Sequence, residues 1–346
     1  RDDGERAARR WIDRILKAGT DDLVEKARAV ALVSRILADI KTYGGDPEVG
    51  TSYASDLQSI LALFEDATLN VEERVRIEVG EALGQVGDPR LESPEENRVL
   101  IAGGSFWMGA DDREGMRNYD ADALERERPV HQVTVSAFHV SRYPITVSAY
   151  RQFIAAGGYS NPTYWMPAGW SWRERDRIEL PAAWETQSSC GNRPVVGVSW
   201  FEADAYARFV RGGLPTEAEW EWVTRGEAAR RYAWGDDQPD QSRASSNLRF
   251  QTAPPVGVYP AGRTEEGVYD LTGTVEEWCA DWSGDYAALD GTDPTGPDNG
   301  SARVLRGGAF YDHPDYLRAA YRYYNDPDYR DLNVGFRVVW RSPRGQ

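Results

Sequence analysis

Tryptophan is distributed unevenly along this chain. Of the 13 tryptophans, only Trp11 precedes residue 100, and the other twelve follow it. Such a change of composition marks a domain boundary, and a length of 346 residues also favours two domains over one. We therefore predict one domain over residues 1–95 and a second over residues 99–341, with a linker around residues 89–98.

The first of these domains carries apolar residues at helical spacing and almost no strand pattern. The apolar residues form three stripes, over 23–40, 57–64 and 71–86. The last stripe ends at Gly87, with Pro89 soon after, and this pair stops helices because Gly tolerates positive φ and Pro cannot continue the hydrogen bonding. The segment EALGQVGDPRL (81–91) resembles the end of a HEAT-type repeat. We predict a small all-α domain, either HEAT-like or a plain helical bundle, that docks an upstream domain or a partner.

The second domain has short apolar runs separated by Gly, Asn, Asp and Pro. The alternation in HQVTV is typical of a strand, and helices are predicted over 148–158 and 200–213. The second helix has Ser199 as its N-cap and Gly212 at its end. Few helices among many short strands predict an α+β fold for this domain.

Charge and cysteine content exclude several classes of function. A net charge of −16 argues against binding nucleic acid or an anionic membrane, which needs a basic face. No run of about 18 apolar residues occurs, so no membrane span is predicted. Two cysteines, Cys190 and Cys279, are too few for a disulfide framework or a cysteine-rich zinc site, and this favours a reducing, cytoplasmic location. Since the sequence starts without Met or an apolar leader, we expect the chain to be trimmed.

Several phrases of the second domain occur in an order typical of one family. These are GGSFWMG (103–109), ERPVHQVTVSAFHVSRYPITVSAYRQF (127–153), RPVVGVSWFEADAYARF (193–209), GLPTEAEWEWVTRG (213–226), YDLTGTVEEWCADW (269–282), RVLRGGAF (303–310) and NVGFRVVW (333–340). Together they resemble the formylglycine-generating-enzyme (sulfatase-modifying factor) family. The resemblance implies a C-type-lectin-type formylglycine-generating-enzyme fold over 99–341, an α+β fold with little regular secondary structure.

The resemblance also bears on catalysis. Oxidase members of the family carry two cysteines shortly after the RGG phrase, because copper(I) is held by thiolates. In this chain Asp312 and Leu317 stand at those two positions. A second branch of the family uses iron, typically with histidines, but the three histidines here do not form a recognisable ligand set. We therefore predict that the protein is not an enzyme and has no catalytic cofactor.

A structural calcium ion is a separate expectation from the resemblance. The residues that match the family's oxygen ligands are Asn247 and Glu277, and oxygen ligands suit a hard cation. The family phrase GNxWEW reads GTVEEW here, with Thr274 and Glu276 in place of Asn and Trp. The alternative is an acidic turn without a metal.

The segment 309–333 has an unusual composition. It contains six of the 18 tyrosines, and it lacks Lys, Glu, Gln, Met and Trp. These five absent residue types share one property, which is that none has a codon ending in C. This pattern and its frame resemble the variable proteins of diversity-generating retroelements, in which adenines of a C-terminal segment are mutated. The resemblance implies that 309–333 is a variable, ligand-binding region.

The chemistry of this segment suits a binding surface. Tyrosine offers a large contact area with few rotatable bonds and is enriched in paratopes and at binding hot spots. The candidate binding residues, which are expected to point outward, are Phe310, Tyr311, Asp312, His313, Tyr316, Leu317, Tyr323, Tyr324, Tyr329, Asp331 and Leu332. Tyr321 is expected to be structural, and the arginines Arg306, Arg318, Arg322, Arg330 and Arg337 are assigned to the scaffold. In the alternative interpretation, these aromatic residues form part of the core.

These observations lead to one functional prediction and two alternatives. We predict a non-catalytic, receptor-like protein whose variable segment binds an unknown protein or another macromolecular ligand. The first alternative is a sensor or effector module of a larger bacterial signalling NTPase, although the chain contains no P-loop. The second alternative is a metal-dependent oxidase of the formylglycine-generating or sulfoxide-synthase type.

Overall fold

The computed structural model describes residues 2–18, 22–42, 51–246, 250–286 and 291–342. The α-helices are α1 (Asp2–Ala18), α2 (Leu23–Thr42), α3 (Thr51–Glu65), α4 (Glu73–Val86), α5 (Val147–Ala155), α6 (Pro167–Asp176), α7 (Trp184–Gln187), α8 (Trp200–Phe209) and α9 (Glu217–Arg225). The strands are β1 (Arg98–Ile101), β2 (Gly104–Met108), β3 (His131–Val135), β4 (Phe138–Ser141), β5 (Glu276–Trp282), β6 (Gly291–Thr292), β7 (Arg303–Arg306), β8 (Arg322–Asn325), β9 (Val334–Gly335) and β10 (Val339–Arg341). Within these ranges, none of the helices has the length and apolar character needed to cross a membrane.

Helices α1–α4 form a unit with its own apolar core, in which Val30, Leu63 and Val79 are fully buried. The three predicted stripes are confirmed as α2, α3 and α4. The predicted stop after α4 is also confirmed: Gly87 adopts a φ of +113° and its N–H donates to the Leu83 carbonyl. Whether these helices are HEAT-like remains a prediction.

The helical unit packs against the second half of the chain. The Tyr259 hydroxyl donates to Glu73 of α4 over 2.6 Å, and the Asn192 amide donates to the Gly80 carbonyl over 2.8 Å. Asn192 also bonds the buried carboxylate of Asp88, just beyond α4. The helices are therefore docked on their own chain, while docking to an upstream domain or a partner stays a prediction.

Three small sheets build the second half, with strand orders β1-β4-β10, β2-β3-β6 and β8-β7-β5-β9. Pairing is antiparallel except for β3 with β6 and β5 with β9. The α+β class is thus confirmed. The third sheet positions the candidate site, because β8 lies at its edge and belongs to the segment predicted to vary.

The helices of this half differ from the sequence prediction in number and in length. Ser199 caps α8 in a capping box with Glu202, as the N-cap prediction required, but α8 ends at Phe209, three residues before Gly212. The chain leaves the helix early because Gly212 must pack against the backbone of β10. Three helices, α6, α7 and α9, were not predicted. The T-x-x-E pattern at the start of α9 predicts that helix, because Thr216 and Glu219 form a capping box there.

Candidate binding surface

Buried arginines anchor the segment 309–333 from both sides. Arg306, on β7, pairs with Glu221 and donates to the carbonyls of Ala319 and Ala320. Arg322, on β8, forms two hydrogen bonds with the carboxylate of Glu217 on α9. Buried charge pairs of this kind fix the backbone, because moving either partner leaves a charge without compensation.

The other scaffold arginines are anchored in the same way. Arg318 pairs with Glu127, and Arg337 pairs with Glu277 on β5. Arg330 is only partly buried and donates to Glu202 over 3.1 Å. Burial and ion pairing of Arg306, Arg318, Arg322 and Arg337 are what scaffold residues require, and the assignment of all five arginines to the fixed scaffold stays a prediction.

Between these anchors, several large apolar side chains face solvent. Tyr316 is 44% exposed, Tyr323 38%, Tyr324 48% and Leu332 50%. Among the described residues these are four of the twelve exposed large hydrophobic side chains, although 309–333 is only 25 residues long. Exposed apolar side chains of this kind mark an interaction site when they form one contiguous patch.

Four tyrosines of the segment are linked by ring contacts, and one arginine lies between two of them. The ring of Tyr316 lies 5.1 Å from that of Tyr321, and the guanidinium of Arg126 lies over Tyr321 and Tyr323 at 4.9 and 5.8 Å. Tyr323 and Tyr324 are stacked with centroids 6.2 Å apart. We call these four tyrosines and Arg126 the tyrosine row.

A groove of about 530 Å³ opens beside the end of the tyrosine row. Its walls include Tyr323 and Tyr324 from β8, and Leu124, Arg128 and Asp285 from neighbouring loops. The groove combines apolar, cationic and anionic groups in one concave surface. A macromolecular ligand that covers the tyrosine row would therefore also meet this groove.

Carboxyl groups from both ends of the segment act on Glu276 of β5. Glu276, at the start of β5, is 7% exposed, and burial followed by the charges of Asp312 and Asp331 raises its pKa to about 8. Burial followed by the same carboxylates also raises the pKa of the Tyr311 hydroxyl. The hydroxyl of Tyr329 donates to Asp331 over 2.7 Å. We call Glu276, Asp312 and Asp331 the acidic cluster.

Two of the candidate binding residues do not point outward. Phe310 is 5% exposed and packs edge-on against Tyr311, and Leu317 is fully buried. Leu317 fills the space beside Gly273 and Gly308, where neither glycine has a side chain to compete with it. The outward orientation expected of these two residues is wrong, because each is needed to close the core beneath the segment.

The remaining candidates are intermediate or exposed. Tyr311, Asp312, Tyr329 and Asp331 are half-buried, and His313 is exposed beside Asp315. Tyr321, expected to be structural, is 7% exposed. Their role in ligand binding stays a prediction.

The predicted calcium ligand Glu277 does not fit a cation site. Its carboxylate is fully buried and forms a bidentate pair with Arg337, with distances of 2.6 and 2.7 Å. Oε2 also accepts the indole N–H of Trp220 over 2.8 Å. A positive charge therefore already occupies the place that calcium would take. Asn247, the other predicted ligand, lies outside the described residues.

The two positions that hold copper ligands in oxidases lack the required donors. Leu317 is apolar, and the Asp312 carboxylate accepts the backbone N–H of Ala309 over 2.8 Å. Cys190 and Cys279 are free and buried, and neither belongs to this segment. The three histidines lie on different elements: His131 is buried on β3, His139 is exposed on β4, and His313 is exposed beside Asp315.

Comparisons with known proteins agree with this architecture. The sulfatase-modifying factor enzyme 1-like domain matches residues 85–342. The chain is 34% identical over 264 residues to hercynine oxygenase of Mycolicibacterium smegmatis, covering 70% of this chain and 60% of that protein. It is 35% identical over 291 residues to the formylglycine-generating enzyme of Streptomyces coelicolor, covering 70% and 88%.

Two solved structures share the fold. PvdO from Pseudomonas aeruginosa superimposes with a TM-score of 0.54 at 22% identity, covering 71% of this chain and 94% of that one. Treponema denticola variable protein 1 superimposes with a TM-score of 0.52, also at 22% identity, covering 71% and 95%.

The molecule is thus a helical unit followed by a C-type-lectin-type domain that carries the tyrosine row, and the predicted fold is confirmed. The chain belongs to the sulfatase-modifying factor enzyme 1-like family. It spans 55–60% of the length of the hercynine oxygenases that it matches.

Proposed function

We propose that this protein is a non-catalytic, receptor-like binding protein whose segment 309–333 varies in sequence and contacts a macromolecular ligand. The observation that carries the proposal is that, within this segment, one set of side chains anchors the backbone and another set faces solvent. Arg318 and Arg322 are buried and ion-paired, whereas Tyr316, Tyr323 and Tyr324 are exposed. Replacement of the exposed side chains leaves the anchors untouched, and this is what a diversified surface requires.

The tyrosine row has the composition of a binding hot spot. Aromatic side chains next to an arginine dominate the binding energy of protein interfaces because they bury much area at small entropic cost. Arg126 already stacks on Tyr321 and Tyr323, so the row is organised before a ligand arrives. The same fold in Treponema denticola variable protein 1 is compatible with such a role.

The proposal is tested by selection of peptides from a displayed random library on the purified chain. We expect enriched peptides whose binding is lost in a Tyr323→Ala/Tyr324→Ala variant. Tyr119→Ala is the matched control, because Tyr119 is 50% exposed but lies outside 309–333. If the enriched peptides bind the double variant as tightly as the parent, or if none is enriched, the tyrosine row is not a binding surface.

A metal-dependent oxygenase is the second candidate, favoured by the names of the relatives. Hercynine oxygenase and the formylglycine-generating enzyme are both about one third identical to this chain. Asp312 and Leu317 argue against the copper form of this candidate, since a carboxylate and an alkyl group stand where copper(I) needs thiolates. These two positions do not bear on an iron form, which uses histidines. A genomic test addresses the variable segment directly: a near-identical copy of the sequence encoding 305–340 beside a reverse-transcriptase gene supports the binding role.

A further inference from the structure

A cavity of about 170 Å³ lies where the linker 89–98 meets the second half of the chain. Its walls come from that linker, the ends of β1 and β4, α5 with the loop before it, the end of α8, and β10. None of the residues 309–333, all of which the structure describes, lines this cavity. It is therefore separate from the candidate binding surface, and the binding role proposed above does not depend on it.

The walls of the cavity are mainly apolar. Tyr206 is 5% exposed and Ile145 is 8% exposed, so this wall is continuous with the buried core. Apolar cavities of about 150 Å³ take up one benzene ring. The size and the lining therefore suit an apolar group of about one aromatic ring. The apolar side chains that form the wall include Leu91, Tyr143, Ile145, Tyr206, Phe209 and Trp340.

Several polar side chains of the wall are satisfied within the fold. The Asn97 amide donates to the Arg90 carbonyl over 2.8 Å. The hydroxyls of Thr146 and Ser148 bond each other over 3.0 Å, and Thr146 also caps α5. These groups need no partner from a ligand.

Arg98 is the one charged side chain among the described residues that line the cavity. Its guanidinium is half-buried and lies over the Trp340 ring at 4.1 Å. Its Nε is buried without a hydrogen-bond partner, and within the described part of the chain its side chain forms no ion pair. No carboxylate of the described residues lines the cavity, although the chain has a net charge of −16. The fold thus presents a cation to an apolar cavity and supplies no anion to pair with it.

We infer that this cavity binds a small carboxylic acid whose apolar part is about one aromatic ring in size. The ring would lie against the apolar wall, and the carboxylate would pair with Arg98. Burial of a carboxylate is costly unless it is paired, and a guanidinium offers two parallel N–H donors to its two oxygens. Apolar contact supplies affinity, whereas Arg98 selects an acid over a neutral or basic compound of the same shape.

Three compounds of nearly identical shape test the inference: benzoate is anionic, benzamide is neutral and benzamidine is cationic. Ligand-observed NMR titrations of the purified chain at neutral pH measure their dissociation constants. We expect benzoate to bind about tenfold or more tightly than benzamide, because only benzoate makes charge-assisted hydrogen bonds, and we expect benzamidine to bind most weakly. This comparison needs no protein variant, so unfolding cannot account for its result.

Three variants locate the effect in the cavity. Arg98→Met removes the charge, keeps an apolar side chain of similar length, and should abolish the preference for benzoate over benzamide. Ala149 of α5 also lines the cavity, and Ala149→Leu should weaken the binding of all three compounds because it fills the space. Arg117→Met is the matched control, since Arg117 also lies over a tryptophan ring, that of Trp107 at 4.3 Å, but does not line the cavity. Arg117→Met should bind benzoate as the parent does.

Several outcomes would overturn the inference. Equal affinity for benzoate and benzamide would do so, as would a preference for benzoate that survives in Arg98→Met. Binding that Ala149→Leu leaves intact would show that the compounds bind elsewhere. An equal loss in Arg117→Met would reduce the effect to one of net charge. Absence of binding by all three compounds at millimolar concentration would also overturn it, and none of these outcomes bears on the tyrosine row.

Discussion

Arg318 and Glu127 lie side by side with two parallel hydrogen bonds of 2.8 Å, from Nη1 to Oε2 and from Nη2 to Oε1. The arginine is 1% exposed and the glutamate 0%. This pair ties the middle of 309–333 to the loop before β3, and Arg318 also donates to the carbonyl of Asp122. The positions of the exposed side chains in 309–333 therefore depend on buried ion pairs of this kind.

Removal of this anchor is expected to destabilise the protein strongly. Arg318→Met should lower the free energy of unfolding by about 3–5 kcal/mol, because Glu127 would be left buried and unpaired. Tyr316→Ala, two residues away, should change it by no more than about 0.5 kcal/mol. Urea unfolding of the two variants measures the difference. Equal stability of both would show that the pair is not an anchor.

The exposed tyrosines of the tyrosine row should tolerate truncation. Tyr323→Ala and Tyr324→Ala should melt close to the parent, whereas Trp220→Ala and Trp278→Ala should lose about 3–5 kcal/mol, since both tryptophans are at most 1% exposed. Tyr311→Ala should fall between these groups, because Tyr311 is half-buried against Phe310. Thermal unfolding followed by circular dichroism decides. Unfolding of the Tyr323 variant like a tryptophan variant would assign the row to the core.

No formylglycine is expected from this protein. With copper, oxygen and a CxPxR peptide, product formation should not exceed that of a metal-only blank, because Asp312 and Leu317 provide no thiolate. Mass spectrometry of the peptide is the measurement. The double variant Asp312→Cys/Leu317→Cys, which places thiols at both positions, is assayed in parallel. Turnover by the parent above the blank would contradict the non-catalytic role.

Chelation should leave the melting temperature unchanged. Calcium was expected at Glu277, but Arg337 supplies the positive charge there, so EGTA has no ion to remove at that carboxylate. Calorimetry with and without chelator, together with elemental analysis, is the test. A lower melting temperature with calcium present in the sample would point to ligands other than Glu277.

Stability should depend on pH through Glu276. Its folded pKa of about 8 lies above its ordinary value of 4.5, so the native state binds more protons than the unfolded state between these values. The contribution to stability is therefore fully present below about pH 4.5 and is lost as the pH rises through about 8. Between pH 5 and 8, Glu276→Gln should flatten the decline in the free energy of unfolding, by up to about 1.4 kcal/mol per pH unit. An unchanged slope would mean that Glu276 titrates normally.

Local patterns were sufficient for much of the fold. The apolar stripes identified α2–α4, the Gly87 stop was correct, and Ser199 was recognised as a cap, because each depends on residues within one or two turns. The capping box of Thr216 and Glu219 was equally local and was overlooked. The end of α8 was misplaced because it depends on β10, which lies about 130 residues away in the sequence.

The composition of 309–333 identified the segment, but it could not separate its surface from its core. Phe310 and Tyr323 are both aromatic, yet one is buried and the other exposed, since exposure depends on which side of the backbone faces the sheet. Likewise, Glu276 and Glu277 are adjacent identical residues. Glu277 pairs with Arg337, whereas Glu276 forms no ion pair among the described residues, because neighbouring side chains of β5 point to opposite faces. Residue types and local periodicity are properties of the chain alone, whereas burial and charge pairing depend on segments that only folding brings together.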